Sequence, residues 1–308
     1  MKMKAVICTK YGKPEVLQLR DIEKPTPKSN EILIKIFATS VTASDCIIRS
    51  LNLPPLMRIP ARLALGFSKP RKSILGLVLS GTIEGVGNKV TQFEIGEKVF
   101  AHTYKRFGTY AEYICLPETS AVTTMPENCS FEEGAAIPYG GTLAFYFLRK
   151  AKIQKGQNVL IYGASGAIGT MAIQIAKNYG ATVDGVCSEK NLNLVKNLGA
   201  DSVFDYTSND FNLDDEKYDL IFDAVGKKKS SGLLYKSALK TNGKFVSVDN
   251  GNPGTKAVCK ENLIILKDLV FSKKIKLVID KVYPIEQIVE AHRYVDKGHK
   301  KGNVIITL

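Results

Sequence analysis

No two of the six cysteines stand close enough to make a CxxC pair, so neither a zinc knuckle nor a dithiol redox motif is available. Cys8, Cys46, Cys115, Cys129, Cys187 and Cys259 are scattered, most in apolar runs, as buried reduced thiols of a cytoplasmic protein would be. Histidine is as scarce: His102, His292 and His299 share no ligand spacing. Apolar runs such as ILGLVL at Ile74–Leu79 are far too short to span a bilayer. The opening MKMKAVICTKYGKPE lacks the apolar core of a signal peptide. These absences point to a soluble, cytoplasmic chain with no membrane partner.

Acid is in deficit. Against 43 Lys and Arg stand 30 Asp and Glu, for a formal net charge of +13. Such a balance raises the question of a nucleic-acid partner. The lysines are spread along the chain, however, and the densest runs, KKK at Lys227–Lys229 and SKK at Ser272–Lys274, carry no interleaved aromatics. Nucleic acid is disfavoured, and a multiply phosphorylated small ligand would equally suit a basic cleft.

The 308 residues suffice for two domains, each with its own core. At 44% hydrophobic and 24% charged residues the composition is that of a globular protein. The first third alternates strand-like runs (Lys4–Cys8, Glu31–Thr39, Gly81–Val86, Tyr110–Leu116) with turn signals. Leu51–Lys72 breaks this rhythm. It is basic, apolar and Pro-containing, and reads as a loop with a short helix near a pocket mouth. From about Gln157, short apolar strands alternate with amphipathic helices, the pattern of a parallel sheet covered on both faces. A helix near Glu261–Phe271, a strand at Lys276–Asp280, a helix near Ile285–Val295 and a closing strand NVIITL complete the reading.

The stretch VLIYGASGAIGT, residues 159–170, sits where the first of those strands meets its helix. Ala164, Gly166 and Gly169 match the dinucleotide fingerprint with Ala in place of its first Gly. A small Ala164 permits the tight turn, Gly166 lets backbone approach a pyrophosphate, and Gly169 lets helix pack on strand. Gly163, Ser165, Ala167 and Ile168 complete the cradle, with free N–H groups and the helix dipole directed at phosphate. Cofactor choice is read after the second strand, where NAD enzymes usually place a carboxylate on the ribose 2′-hydroxyl. Here VCSEKN offers Ser188 and Lys190. A hydroxyl and an ammonium suit a 2′-phosphate, and Tyr206 could reach the same phosphate or lie over the adenine. NADPH is therefore expected over NADH.

In order along the chain, KAVICTKYGKPEVLQL, VTASD, GTIEGVGNKVTQFEIGEKVFA, FGTYAEYICLPE, AAIPYGGTLAFYFL, GASGAIGT, VCSEKNLNLVKNLGAD, YDLIFDAVG and GNVIITL follow one family from end to end. The chain resembles the medium-chain dehydrogenase/reductase superfamily, in its zinc-free quinone-oxidoreductase-like branch. The resemblance implies an α/β protein: a GroES-like β-rich catalytic domain from residues 1–124 and 263–308, with a Rossmann NADP-binding domain of doubly wound parallel sheet at 125–262. Zinc-dependent relatives hold their catalytic ion with a Cys in the segment matching VTASD and a His-Glu pair matching GLVLSG. Thr42, Leu77 and Val78 stand at those places, none of them a zinc ligand.

The implied activity is NADPH-dependent transfer of hydride to a quinone or an α,β-unsaturated carbonyl (enone or enal), without zinc. A zinc-free alcohol dehydrogenase or carbonyl reductase is the alternative enzyme, and a non-catalytic NADPH-binding regulatory protein the alternative outside catalysis. Tyr139 and Thr142, in PYGGT, match a segment beside the nicotinamide. Tyr139 is the candidate acid and Thr142 a nicotinamide-orienting hydroxyl, although PYGGT also reads as a well-packed helix start. Val225 and Gly226 match the backbone that passes the nicotinamide ribose. Thr42 and Ser44 are the candidates for the substrate side, while Asp45 reads equally well as a buried structural carboxylate. The run from Val248 to Glu261 is shorter than the family's, which puts its usual homodimer in doubt.

Overall fold

The ten residues EILIKIFATS form strand β3 (Glu31–Ser40), and they show why the first part of the chain becomes sheet. Ile32, Ile34 and Ile36 alternate into one buried cluster with Leu79, Ile83, Val99 and Val122, as a two-residue period demands. In this computed structural model residues 1–226, 237–249 and 254–308 are described. The run Lys227–Lys229 and residues 250–253 of the short segment lie outside them.

Two compact units divide the chain: Met1–Pro138 with Cys259–Ile264 and Ile279–Leu308, and Tyr139–Val258 with Ile265–Val278. In the first, β1 (Lys2–Cys8) pairs antiparallel with β2 (Leu17–Glu23). Around β3 the sheet gathers β4 (Val78–Val86), β5 (Lys98–His102), β6 (Tyr113–Pro117), β7 (Val122–Thr124), β13 (Ile279–Pro284) and β14 (Asn303–Thr307). The order is β13-β14-β3-β4-β5-β7, with β6 also on β3. Antiparallel pairing of Ile305 with Ser40 and Ile306 with Thr39 splices the C-terminal strand onto β3, so both chain ends build this unit.

Helix α1 (Ala43–Ser50) and helix α8 (Ile288–Asp296) belong to the same unit, and their Cys46, Ile288, Ala291 and Val295 share one core cluster. Arg49 on α1, 1% exposed, reaches Asp296 on α8 at 2.7 Å. Between Leu51 and Lys72 lies α2 (Pro55–Leu65), which buries none of its residues. Helix α3 (Phe131–Ala136) starts on a capping box of Ser130 and Glu133.

The second unit carries five parallel strands: β8 (Asn158–Tyr162), β9 (Thr182–Cys187), β10 (Ser202–Asp205), β11 (Tyr218–Asp223) and β12 (Leu239–Ser247). Their order is β10-β9-β8-β11-β12. The winding direction reverses between β8 and β11, and ligands of such sheets bind outside the strand ends at that switch point. Helices α4 (Pro138–Lys150), α5 (Ala167–Asn178), α6 (Leu192–Asn197) and α7 (Lys260–Phe271) follow, α4 and α7 each beginning in the first unit, and short 3-10 turns stand beside them. Among the described residues no helix is long and apolar enough to cross a membrane.

One expected strand is displaced. The sequence predicts KLVID at Lys276–Asp280, whereas β13 begins at Ile279. Gln174 of α5 accepts from the Lys276 N–H at 2.7 Å and donates to its carbonyl at 3.0 Å. With both backbone groups held by a side chain, Lys276 has nothing left for a ladder.

Candidate functional site

Strand β8 is buried from Val159 to Tyr162 and delivers the chain to Gly163 at the switch point. Gly163 has φ of +74°, and a Cβ there would lie 2.2 Å from Val225 Cγ2. The tight turn assigned from sequence to Ala164 is thus made by Gly163. Ala164 serves the loop in another way. Its N–H and that of Gly163 both donate to the Val186 carbonyl at 3.0 Å, tying the loop to β9. At Gly169 a Cβ would meet Gly163 O at 2.2 Å and Ala164 Cα at 2.7 Å. Helix α5 therefore packs directly on the loop.

Gly166 is different. A Cβ there would find only Gly163 O, at 3.5 Å, in its way. It caps α5 with no side-chain hydrogen bond to the first-turn amides. Among the described residues, the result is a helix start that no side chain caps, Ala167 and Ile168 beginning it, with only Gly163 O near a residue that has no side chain. That is a cradle fit for a pyrophosphate.

Ser188 lies one residue beyond β9, half-buried, and Lys190 is exposed beside it. Asn191, 4% exposed, donates through Nδ2 to Ser165 Oγ and to Ser188 Oγ, each at 3.1 Å. Ser165 of the loop and Ser188 after β9 are thereby held by one amide. Tyr206 is 44% exposed, its ring 6.1 Å from that of Tyr162, and its N–H donates to Cys187 O. A carboxylate does lie close by: Asp205 pairs in register with Cys187. It accepts from the Thr207 hydroxyl at 2.7 Å and the Thr207 N–H at 2.9 Å, bonds that hold its carboxyl below the usual range. Neither Asn191 nor Asp205 stands out in the sequence. In VCSEKN the sequence singles out Ser188 and Lys190, and Asp205 belongs to the next strand.

On the other side of the switch point, Asp223 ends β11, 1% exposed. Its Oδ1 accepts from the N–H groups of Val225 and Gly226 at 2.9 and 3.0 Å, and Ser247 Oγ donates to its Oδ2 at 3.3 Å. This buried carboxylate shapes the backbone at Val225 and Gly226, and Val225 packs against Gly163. Tyr139 and Thr142 stand on α4, both buried. A Cβ on Gly140 would lie 2.1 Å from Ala167 O, so this part of α4 presses on the start of α5. Thr142 Oγ1 is buried without a partner among the described residues. A helical Thr ordinarily bonds back to the preceding turn, so an orphaned hydroxyl here is the kind of group a ligand satisfies.

In the β-rich unit, Thr42 caps α1. Its N–H and hydroxyl donate to Asp45 Oδ2 at 2.9 and 2.6 Å, and its hydroxyl accepts from Asp45 N–H at 3.2 Å. The polar atoms of Thr42 serve the helix start, and Ser44 follows half-buried. Burial pushes the Asp45 carboxyl up to about 6, against the pull of Thr42, Tyr110 and the Gly76 backbone. Cys46 Sγ lies 3.5 Å from His292 Nδ1. Burial raises the thiol and holds the imidazole neutral down to about 3, so neither is poised for chemistry at neutral pH. Leu77 and Val78 are buried apolar residues. Among the described residues no group of three or more His, Cys, Asp or Glu could hold a metal ion.

Residues 28–127 match the alcohol dehydrogenase GroES-like domain, and residues 167–278 and 255–306 match zinc-binding dehydrogenase families. The chain is 32% identical to 2-methylene-furan-3-one reductase of Solanum lycopersicum, over 99% of its own length and 79% of that protein. It is 31% identical to quinone oxidoreductase of Homo sapiens, over 99% and 98% of the two chains. The structure of the quinone oxidoreductase from Coxiella burnetii superposes with a TM-score of 0.82 at 25% identity, covering all of both chains. The chain belongs to the medium-chain dehydrogenase/reductase superfamily of NAD(P)H-dependent oxidoreductases, in its quinone-oxidoreductase-like branch.

Proposed function

We propose that the chain transfers hydride from NADPH to a quinone or an α,β-unsaturated carbonyl, without a metal. The observation that carries the cofactor half is the open start of α5 at Gly166, flanked by Ser165, Ser188 and Lys190. Backbone N–H groups there meet pyrophosphate, and a hydroxyl and an ammonium meet a 2′-phosphate. Tyr206 covers the adenosine end. Val225, Gly226 and the orphaned Thr142 hydroxyl orient the nicotinamide side, with Tyr139 as the candidate acid and solvent the alternative proton source. When bound, the reduced nicotinamide supplies a hydride.

The acceptor class follows from residue chemistry. Thr42, Leu77 and Val78 offer no ligand for a zinc ion that would act as Lewis acid on an alkoxide. A quinone or enone spreads the incoming charge into a hydroquinone anion or an enolate, which asks for orientation more than for a metal. The names borne by the tomato and human relatives are in keeping with such acceptors. Of the two substrate-side candidates, Ser44 is retained in this proposal, since the buried Thr42 spends its hydroxyl and N–H on Asp45 at the start of α1. The functional division of the chain at 124/125 and 262/263 belongs to this proposal. Contact density draws the line instead at 138/139, with 265–278 in the α/β unit.

Steady-state assays with NADPH and NADH against a quinone, an enal and a simple ketone test this reading. We expect the highest specificity constant with NADPH and a quinone or enal. A higher specificity constant with NADH, or turnover confined to the ketone, would overturn it.

A further inference from the structure

Asn191 spends its side chain in an unusual way. It ends the 3-10 turn Glu189–Asn191, which runs directly into α6, and its side chain makes no bond to the amides of that helix. Its Nδ2 instead spans Ser165 and Ser188, at 3.1 Å to each hydroxyl oxygen. Its Oδ1 is buried with no partner among the described residues. Burying an unmet carbonyl costs stability. A sequence accepts such a local loss where a ligand makes use of it.

We propose that Asn191 is the positioning residue of the cofactor's adenosine diphosphate half, and that one amide sets both serine hydroxyls for phosphate. The inference rests on the NADPH reading above and deepens it. A hydroxyl whose oxygen accepts from an amide still has its proton to give. Accepting from Nδ2 therefore turns the Ser165 proton toward the 5′-phosphate and the Ser188 proton toward the 2′-phosphate. Charge-assisted bonds from pre-oriented donors are stronger than those that must first be ordered. The unmet Oδ1 is an acceptor in the same cradle. The adenosine ribose carries a 3′-hydroxyl that can supply the missing donor, which an ionised 2′-phosphate cannot. Asn191 thus couples the loop after β8 to the turn after β9, two segments that read as separate motifs in the sequence.

Calorimetric titration of the full chain with adenosine 2′,5′-bisphosphate and with 5′-AMP tests this, alongside thermal melts. Wild type is expected to prefer the bisphosphate. Asn191→Ala is expected to weaken bisphosphate binding about tenfold, the share of one charge-assisted hydrogen bond, and to narrow its preference over 5′-AMP. In a Ser188→Ala background the same substitution is expected to cost markedly less, because the hydroxyl it positions is gone. Asn191→Asp, of nearly the same size, guards against misfolding of the alanine variant. Its carboxylate accepts from both hydroxyls and draws their protons away, so the bisphosphate loss is expected to exceed that of Asn191→Ala. Unchanged preference in a folded Asn191 variant, or additive losses with Ser188→Ala, would overturn the positioning role. A wild type that does not prefer the bisphosphate would instead overturn the NADPH reading beneath it.

Discussion

Gly166→Ala is expected to leave folding intact and to lower NADPH affinity by on the order of a hundredfold, the worth of one or two charge-assisted hydrogen bonds. The new methyl has room in the protein, since Gly163 O is 3.5 Å away, and the backbone there has ordinary negative φ of −78°. What it fills is the space in front of the α5 amides. Gly169→Ala makes the contrasting case three residues on. Its Cβ would strike Gly163 O at 2.2 Å and Ala164 Cα at 2.7 Å, both backbone atoms that cannot swing aside. The loop must move off the helix, at a cost of roughly 1–3 kcal/mol or more. Thermal melts without ligand and fluorescence titration with NADPH separate the two variants. Gly166→Ala should keep its melting temperature and lose binding, whereas Gly169→Ala should lose both. Equal NADPH affinity in wild type and Gly166→Ala would mean that phosphate does not approach this residue.

The second large effect concerns the splice of the two chain ends. Arg49 on α1 is 1% exposed and its one ionic partner among the described residues is Asp296 on α8, at 2.7 Å. Its Nε and Nη1 are buried with no partner among the described residues, so the guanidinium depends on that carboxylate. Removing one member of a buried pair leaves an uncompensated charge and typically costs about 3–5 kcal/mol. Asp296 is itself partly solvated, which places the expected loss for Asp296→Ala near the lower end, about 3 kcal/mol. Replacing the guanidinium as well, in Arg49→Met/Asp296→Ala, should recover at least half of it, because apolar residues often replace buried ion pairs without loss. Urea denaturation reads both variants. A loss under about 0.5 kcal/mol for Asp296→Ala would show that the pair does not hold α8 to α1.

What was legible in the sequence was local. Apolar strands around a Gly-rich turn announce the doubly wound sheet because period, length and turn chemistry agree within a dozen residues. The capping pair Thr42 and Asp45 lies within one helical turn, yet VTASD reads as a substrate contact, and only the hydrogen bonds show the hydroxyl committed to the helix. Asn191 and Asp223 escape notice for a different reason. Asn191 bonds across a turn to two serines, and neither spacing nor composition marks a side chain that forgoes its usual local partner. Asp223 makes ordinary local turn bonds to Val225 and Gly226, but its burial and its bond from Ser247 of the neighbouring strand are not written in YDLIFDAVG. The shift of the strand from Lys276 to Ile279 has the same origin, for Gln174 lies 102 residues from the backbone it captures. The glycine turn shows the limit in the other direction. Its role is evident from the pattern, while the assignment of the left-handed residue to Gly163 rather than Ala164 requires the dihedral angles.

The most direct measurement of the central claim follows the hydride itself. NADPH deuterated at the transferring position of its C4 is incubated with the protein and an enone, with and without a chelator, and the product is read by mass spectrometry. The account predicts one deuterium at the β-carbon of the saturated carbonyl, a solvent-derived hydrogen at the α-carbon, and the same rate in both samples. Bound NADPH that yields no labelled product from any enone and is oxidised by no quinone, or turnover that the chelator abolishes and zinc restores, would contradict it.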